Sequence, residues 1–178
     1  QLKTNKSQNI IRLNTLLNAK SGLCREDCGY CAQSKKSSAT IETYGLLPKK
    51  EIIRKALIAK KNHSSVFCIA LSGTRPSKKE IHLLGEAIQT IKSIMSIEIC
   101  LSIDLVTEEQ IDYLKSCGVD RLNHNLNTSR DNYPNITTTH SYDDRLETLN
   151  KLRQHKMNIC SGFICGMGET EEQLVGLA

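Results

Sequence analysis

Residues 97–127 read IEICLSIDLVTEEQIDYLKSCGVDRLNHNLN. In Ile97–Leu105 the apolar positions Ile97, Ile99, Leu101, Ile103 and Leu105 alternate with Glu98, Cys100, Ser102 and Asp104, the period of a β-strand. Thr107-Glu-Glu-Gln110 then carries the signature of a helical capping box. Ile111, Leu114 and Cys117 follow at helical spacing, and Gly118 supplies a stop. From Arg121 the alternation returns, with Leu122, His124 and Leu126 set against Asn123, Asn125 and Asn127. Strand, helix and strand with short joints describe a β-α-β unit, two parallel strands and their crossover helix.

The same pattern extends in both directions. Towards the N-terminus, Ser64–Ser72 (SSVFCIALS) is an apolar run of strand length, followed by a second capping box at Ser77-Lys-Lys-Glu80. Ile81, Leu84, Ile88, Ile91 and Met95 then form one helical face. Pro48–Asn62 predicts an earlier helix with Ile52, Ile53, Ala56 and Leu57 inward and Pro48 near its first turn. Ile10–Asn18 predicts the first strand. Towards the C-terminus, Ser141 caps a helix carrying Leu146, Leu149 and Leu152, Asn158–Cys165 predicts a fifth strand, and a helix starts at Glu171. Units of roughly 25–35 residues suit parallel strands with crossover helices. The expected fold is α/β, a partial (β/α)8 TIM-type barrel with about five β/α units, forming one domain over residues 1–178. An open doubly wound sheet has the same pattern, and pattern alone does not separate the two.

Composition narrows the function classes. The 178 residues are 39% hydrophobic with a net charge of +5, but the basic residues are spread along many segments and only 4% of residues are aromatic. Stacking platforms for bases are therefore not expected, and no nucleic-acid partner is predicted. No apolar run approaches membrane-spanning length. The start at Gln1 and an end inside a helix start suggest a piece of a longer chain. Eight cysteines in a long chain with a regular core fit metal-bound thiolates in a reducing compartment better than a disulfide scaffold.

Strand parity gives some of those cysteines an address. On the faces opposite the large apolar residues stand Val66, Cys68, Ala70 and Ser72; Glu98, Cys100, Ser102 and Asp104; Arg121, Asn123, Asn125 and Asn127; and Cys160, Gly162 and Ile164. In a barrel these faces point into the lumen, which is normally filled by branched apolar side chains. Buried polar groups there must be paired or functional. Cys68, Cys100 and Cys160 on one lumenal side therefore form a candidate set. Cys117, on a helix face, and Cys165, of opposite parity to Cys160, read as structural.

Between the first strand and the first helix, residues 21–34 read SGLCREDCGYCAQS, with Cys24, Cys28 and Cys31 spaced C-x3-C-x2-C. Three thiolates on one short loop can hold three irons of a 4Fe–4S cluster and leave the fourth open. An open metal position marks a reactive site. Structural zinc would need a fourth ligand such as His63 or Cys68.

With Tyr30 before its last cysteine, this loop resembles the radical S-adenosylmethionine superfamily. Together with RLNHNLNTS (121–129), NITTTHSYDDRLETL (135–149) and CSGFICGMGET (160–170), it closely resembles the biotin synthase family within it. The resemblance implies sulfur insertion into dethiobiotin to form biotin, the last step of biotin biosynthesis. It implies a 4Fe–4S cluster at Cys24, Cys28 and Cys31, with S-adenosylmethionine on the open iron. Tyr30 would lie near the adenine, Arg145 would face the methionine carboxylate, and Asn125 and Asn127 would contact the ribose. A 2Fe–2S cluster would be held by Cys68, Cys100 and Cys160, with an arginine from a later strand as fourth ligand. The implied partners are dethiobiotin, an electron donor of flavodoxin or ferredoxin type, and a second copy in a homodimer. The implied location is the cytoplasm, or the mitochondrial matrix in a eukaryote. Two departures stand out. Asn127 occupies a position where many relatives carry Asp, and LSGTRPS (71–77) replaces the usual Gly-Gly-Glu segment, leaving Ser72 and Gly73 as weak candidates for the amine site. Other radical enzymes of the superfamily, or a non-catalytic iron–sulfur or zinc module, are the alternatives.

Overall fold

The structure is a computed structural model that describes residues 12–22 and 24–177. Among the described residues five strands form one sheet: β1 (Asn14–Lys20), β2 (Val66–Leu71), β3 (Glu98–Ser102), β4 (Arg121–Asn123) and β5 (Asn158–Cys160). Every neighbouring pair is parallel, and the spatial order is β1-β2-β3-β4-β5. A doubly wound sheet reverses its strand order at a switch point. Here each strand adds beside the one before it, always in the same direction, which is the progression of a (β/α)8 barrel.

The helices are α1 (Lys49–Lys61), α2 (Lys78–Ile94), α3 (Glu108–Ser116), α4 (Tyr133–Ile136), α5 (Tyr142–Gln154) and α6 (Glu171–Leu177). Ser77 and Thr107 form the capping boxes expected of them, and Ser141 forms a third with Asp144. Gly118, after α3, has φ +99°, and a Cβ there would meet Lys92 Cγ at 2.9 Å, so both its conformation and its crowding require glycine.

The core lies between the sheet's outer face and the helices. Phe67, Ile69, Ile99, Leu101 and Leu122 meet Ile52, Ala56, Leu84, Ile88, Ile91, Ile111, Leu114 and Leu152. Gly85 on α2 allows a close approach of α3: a Cβ there would lie 2.5 Å from the Tyr113 ring and 2.8 Å from Cys117 Sγ. Burial at these strand positions follows the predicted parity, with the apolar faces under the helices and the cysteine-bearing faces towards the lumen.

Four local expectations are corrected. Ile10 and Ile11 of the expected first strand lie outside the described residues, and β1 runs from Asn14 to Lys20, further along the chain. Leu57 is half exposed; Ala59 takes its place because Ile52, Ala56 and Ala59 follow the i, i+4, i+7 row. The fourth and fifth strands are shorter than Arg121–Asn127 and Asn158–Cys165. Their ladder lapses after Asn123 and Cys160 and resumes only as a bridge between Asn127 and Phe163. Asn127 has φ +69°, a left-handed conformation that Asn tolerates better than most residues but no strand continues through. The short helix α4 was not expected at all.

Candidate active site and metal centres

Between β1 and α1 the described residues form no helix, and the connection is tied by backbone hydrogen bonds between Ser21 and Tyr44. The cysteines sit at the start of this loop, at the C-terminal end of β1. What shapes the loop is a second segment far along the chain. Gly29 N donates to Ile136 O at 2.9 Å, and Asp27 accepts from Thr138 N at 2.9 Å, from Thr137 Oγ1 at 2.8 Å and from Thr138 Oγ1 at 2.5 Å. Lys36 pairs with the same carboxylate at 2.8 Å. These donors, led by Lys36 and Thr138, hold the Asp27 carboxyl well below its usual range.

The neighbouring Glu26 makes a different set of contacts. It accepts hydrogen bonds from Thr74 and Thr139, and its Oε2 lies 2.8 Å from His140 Nδ1. Burial opposes its ionisation, but these bonds outweigh burial and keep its carboxyl below the ordinary value. His140 Nε2 lies 3.0 Å from an Arg145 guanidinium nitrogen. Arg145 Nε donates to Tyr133 Oη at 3.1 Å, and Arg145 pairs with Asp104 at 3.0 Å. Asp104 in turn lies 3.6 Å from His124 Nδ1. Burial pushes the Asp104 carboxyl up, against the pull of Arg145. Burial, helped by Arg145, pushes His124 down to about 3, so this imidazole is neutral at ordinary pH.

Of these groups Glu26, Asp104, His124 and Arg145 border a cavity of about 230 Å³. Cys24, Cys28, Cys31, Tyr30, Asn125, Asn127 and Arg145 all line it, so every residue expected at the first cluster and its co-substrate faces one space. Ser72 and Gly73 line it too. So do Glu26, Asp104 and His124, which the sequence reading did not single out. A pair of acids between two cysteines, and three threonines with a histidine just before a helix cap, were the available signals. Cys28 is buried, and burial pushes its thiol up, with Thr137 and Arg145 pulling the other way. A thiolate there needs a cation to replace lost solvation. Tyr30 is also pushed up by burial and by Cys28.

The donor set fits an iron–sulfur cluster. Three sulfurs on one wrapped loop suit iron–sulfur chemistry. Among the described residues no three His, Cys, Asp or Glu side chains converge on one ion-sized point. A cubane attaches each thiolate to a different iron, so its ligands need no such convergence.

Cys68, Cys100 and Cys160 do not line this cavity. Cys68 and Cys100 are direct partners across β2 and β3, and Cys160 pairs with Asn123 one pleat further up. Two residues of strand rise are about 6.6 Å, so the trio spans two layers, Cys160 in register with the cavity-lining Ser102 and Asn123 and the other two cysteines one layer below. The pairing of Cys68 with Cys100 lowers the Cys68 thiol and raises that of Cys100. Arg121 pairs across the strands with Cys100 and forms an ion pair with Glu98, which also holds Arg12 at 2.7 Å. All eight cysteines are free.

The sequence profile of the Radical SAM superfamily matches residues 20–178. The chain belongs to the Radical SAM superfamily. Among curated relatives it is 54% identical over 177 residues to a biotin synthase of Streptococcus agalactiae, covering 99% of this chain and 54% of that protein. It is 45% identical over 168 residues to a biotin synthase of Lysinibacillus sphaericus, covering 94% of this chain and 51% of the relative. The chain thus spans about half the length of the curated relatives it matches. Among solved structures, methylornithine synthase superposes with a TM-score of 0.76 at 17% identity, over 93% of this chain and 48% of that one. Streptococcus suis SuiB bound to S-adenosylmethionine gives 0.68 at 16% identity, over 94% and 37%. At such identities these two likenesses speak for the fold of this Radical SAM chain. Among the described residues no helix is long and apolar enough to cross a membrane.

Proposed function

We propose that this Radical SAM chain is the cluster-bearing part of a biotin synthase, inserting sulfur into dethiobiotin. One observation carries the reading: the loop trio lines a cavity together with Ser102 and Asn123, and the strand trio begins with Cys160 in register with those two residues. A radical generated at one trio and a sulfur source at the other would meet a substrate held between them. The 43–54% identity to curated biotin synthases supports it.

In this reading Cys24, Cys28 and Cys31 hold a 4Fe–4S cluster, and Cys68, Cys100 and Cys160 hold three positions of a 2Fe–2S cluster. Bound there, the first supplies the electron that splits S-adenosylmethionine to a 5′-deoxyadenosyl radical, and the second supplies sulfur. The protein's own part is binding, orientation and exclusion of water. Arg145 offers a guanidinium to the methionine carboxylate, an arrangement its planar fork favours. The Tyr30 ring stands beside the adenine. Asn125 and Asn127 contact the ribose, Asn127 as a neutral amide. Asn125 also reaches the ureido ring of dethiobiotin. The described residues belong to the core domain of the superfamily and supply five β/α units of its barrel. A flavodoxin- or ferredoxin-type donor, a homodimer and a cytoplasmic location complete the reading.

Anaerobic iron–sulfur reconstitution of the complete polypeptide tests it. The expected result is iron and sulfide sufficient for two clusters, and biotin formed from dethiobiotin with S-adenosylmethionine and a reductant. One equivalent of zinc, without visible absorption, would refute it.

A further inference from the structure

We propose that His140 is a positioning residue that couples the cysteine loop to Arg145, so that Glu26, His140 and Arg145 act as one relay between the first cluster and the S-adenosylmethionine carboxylate. The inference rests on the role given to Arg145 above and adds a mechanism to it.

The hydrogen-bonding inventory fixes the protons. Arginine nitrogens donate and do not accept. His140 Nε2, 3.0 Å from an Arg145 guanidinium nitrogen, must therefore be the acceptor, a bare lone pair. The imidazole proton then sits on Nδ1, where it donates to Glu26 Oε2 at 2.8 Å. That pair of contacts selects one arrangement of the ring, and its side chain is only 4% exposed. It is packed edge-on against Tyr133, whose hydroxyl accepts from Arg145 Nε. The guanidinium is thereby gripped on three sides, by Tyr133, His140 and Asp104. Asp104 is the one carboxylate among these three, and a substrate carboxylate would compete with it for the same N–H groups. His140 and Tyr133 are acceptors that keep the fork's plane fixed during that exchange.

The other end of the relay lies between the first two cysteines. Glu26 is followed at once by Asp27 and Cys28, and Glu26 reaches His140 across 114 residues of sequence. Closing the loop around a cluster therefore fixes Glu26, which orients the imidazole, which orients the guanidinium. Linkage makes the effect reciprocal: carboxylate binding at Arg145 tightens the loop.

The test uses the complete, cluster-loaded protein and reads the dissociation constant of S-adenosylmethionine together with the change that it causes in the electron paramagnetic resonance spectrum of the reduced 4Fe–4S cluster. His140→Leu keeps bulk and loses both hydrogen bonds. Affinity is expected to fall by at least about tenfold, the scale of a lost hydrogen bond to a charged group, with iron content retained and the spectral change weakened. His140→Gln can accept from Arg145 and donate to Glu26, and should recover most of the affinity. Glu26→Leu should reproduce the His140→Leu defect, and the double variant should be little worse than either. Wild-type affinity in His140→Leu, or equal losses in the Leu and Gln variants, overturns the relay and leaves the proposed function standing. Failure of the unsubstituted protein to bind S-adenosylmethionine overturns both.

Discussion

Cys24, Cys28 and Cys31 are close in sequence and their loop is fixed by a distant segment, residues 137–140, which the loop's own Glu26 and Asp27 carboxylates engage. Cys68, Cys100 and Cys160 are far apart in sequence and are fixed by the backbone ladder, through the register Cys68↔Cys100 and Asn123↔Cys160. The first trio can be found by reading a motif, yet its shape depends on distant partners. The second is invisible as a motif, yet once the strands are aligned its shape follows from pleat and register. A loop site can adapt to a co-substrate that comes and goes, whereas a sheet site holds its ligands against a rigid wall. In the proposed reading, that difference suits an exchanging ligand at the loop and a sulfur source at the sheet.

The contrast is open to direct attack. Cys28→Ser is expected to abolish S-adenosylmethionine cleavage, while Cys68→Ser removes only the second cluster and leaves cleavage in place. Parallel assays of 5′-deoxyadenosine and iron content decide it, and cleavage retained in Cys28→Ser would break the division of labour. Next in size, Asp27→Ala should weaken retention of the loop cluster about 10–100-fold, the usual cost of losing a group that orients metal ligands. Chelator competition measures this, and the strand cluster should be unaffected.

A smaller effect concerns pH. His124 is pushed by burial to about 3, below the ordinary histidine value. Between those two values the unfolded chain binds the extra proton and the folded one does not, so stability falls as pH falls through that window. The slope due to His124 is up to about 1.4 kcal/mol per pH unit. Thermal melts between pH 7.5 and 5.5 should show it, and His124→Gln should flatten that part of the profile. Smallest of all, Ser141→Ala removes the cap of the helix that carries Arg145 and should cost about 1 kcal/mol. Denaturant unfolding reads that loss, and the strand cluster should not register it.

Much of the fold was legible because local rules and the final structure agree. Ser77 and Thr107 cap the helices that their sequence spacing announces, and Pro48 opens α1. Strand order was not legible, since a β-α repeat is common to barrels and doubly wound sheets. The ends of β4 and β5 were misread because alternation continues through Asn125 and Asn127 while the backbone turns left-handed at Asn127. At the site, parity placed the strand cysteines on one face, and resemblance named the residues around the cavity. Glu26, Asp27, Asp104 and His140 escaped because their meaning lies in hydrogen bonds and ion pairs between distant segments. No window of sequence contains both partners of Glu26 and His140.

The strapping of the cysteine loop to residues 136–140 also sets a timetable. The three thiols leave the ribosome more than a hundred residues before the threonines that shape their cradle. At about 5–20 residues per second, that is a wait on the order of ten seconds. During it the nascent chain exposes soft nucleophiles with no pocket around them. Iron and sulfide delivered in that interval would find a flexible string of ligands, and the open iron would have no defined face. In the proposed reading, correct loading would therefore follow the emergence of the second segment.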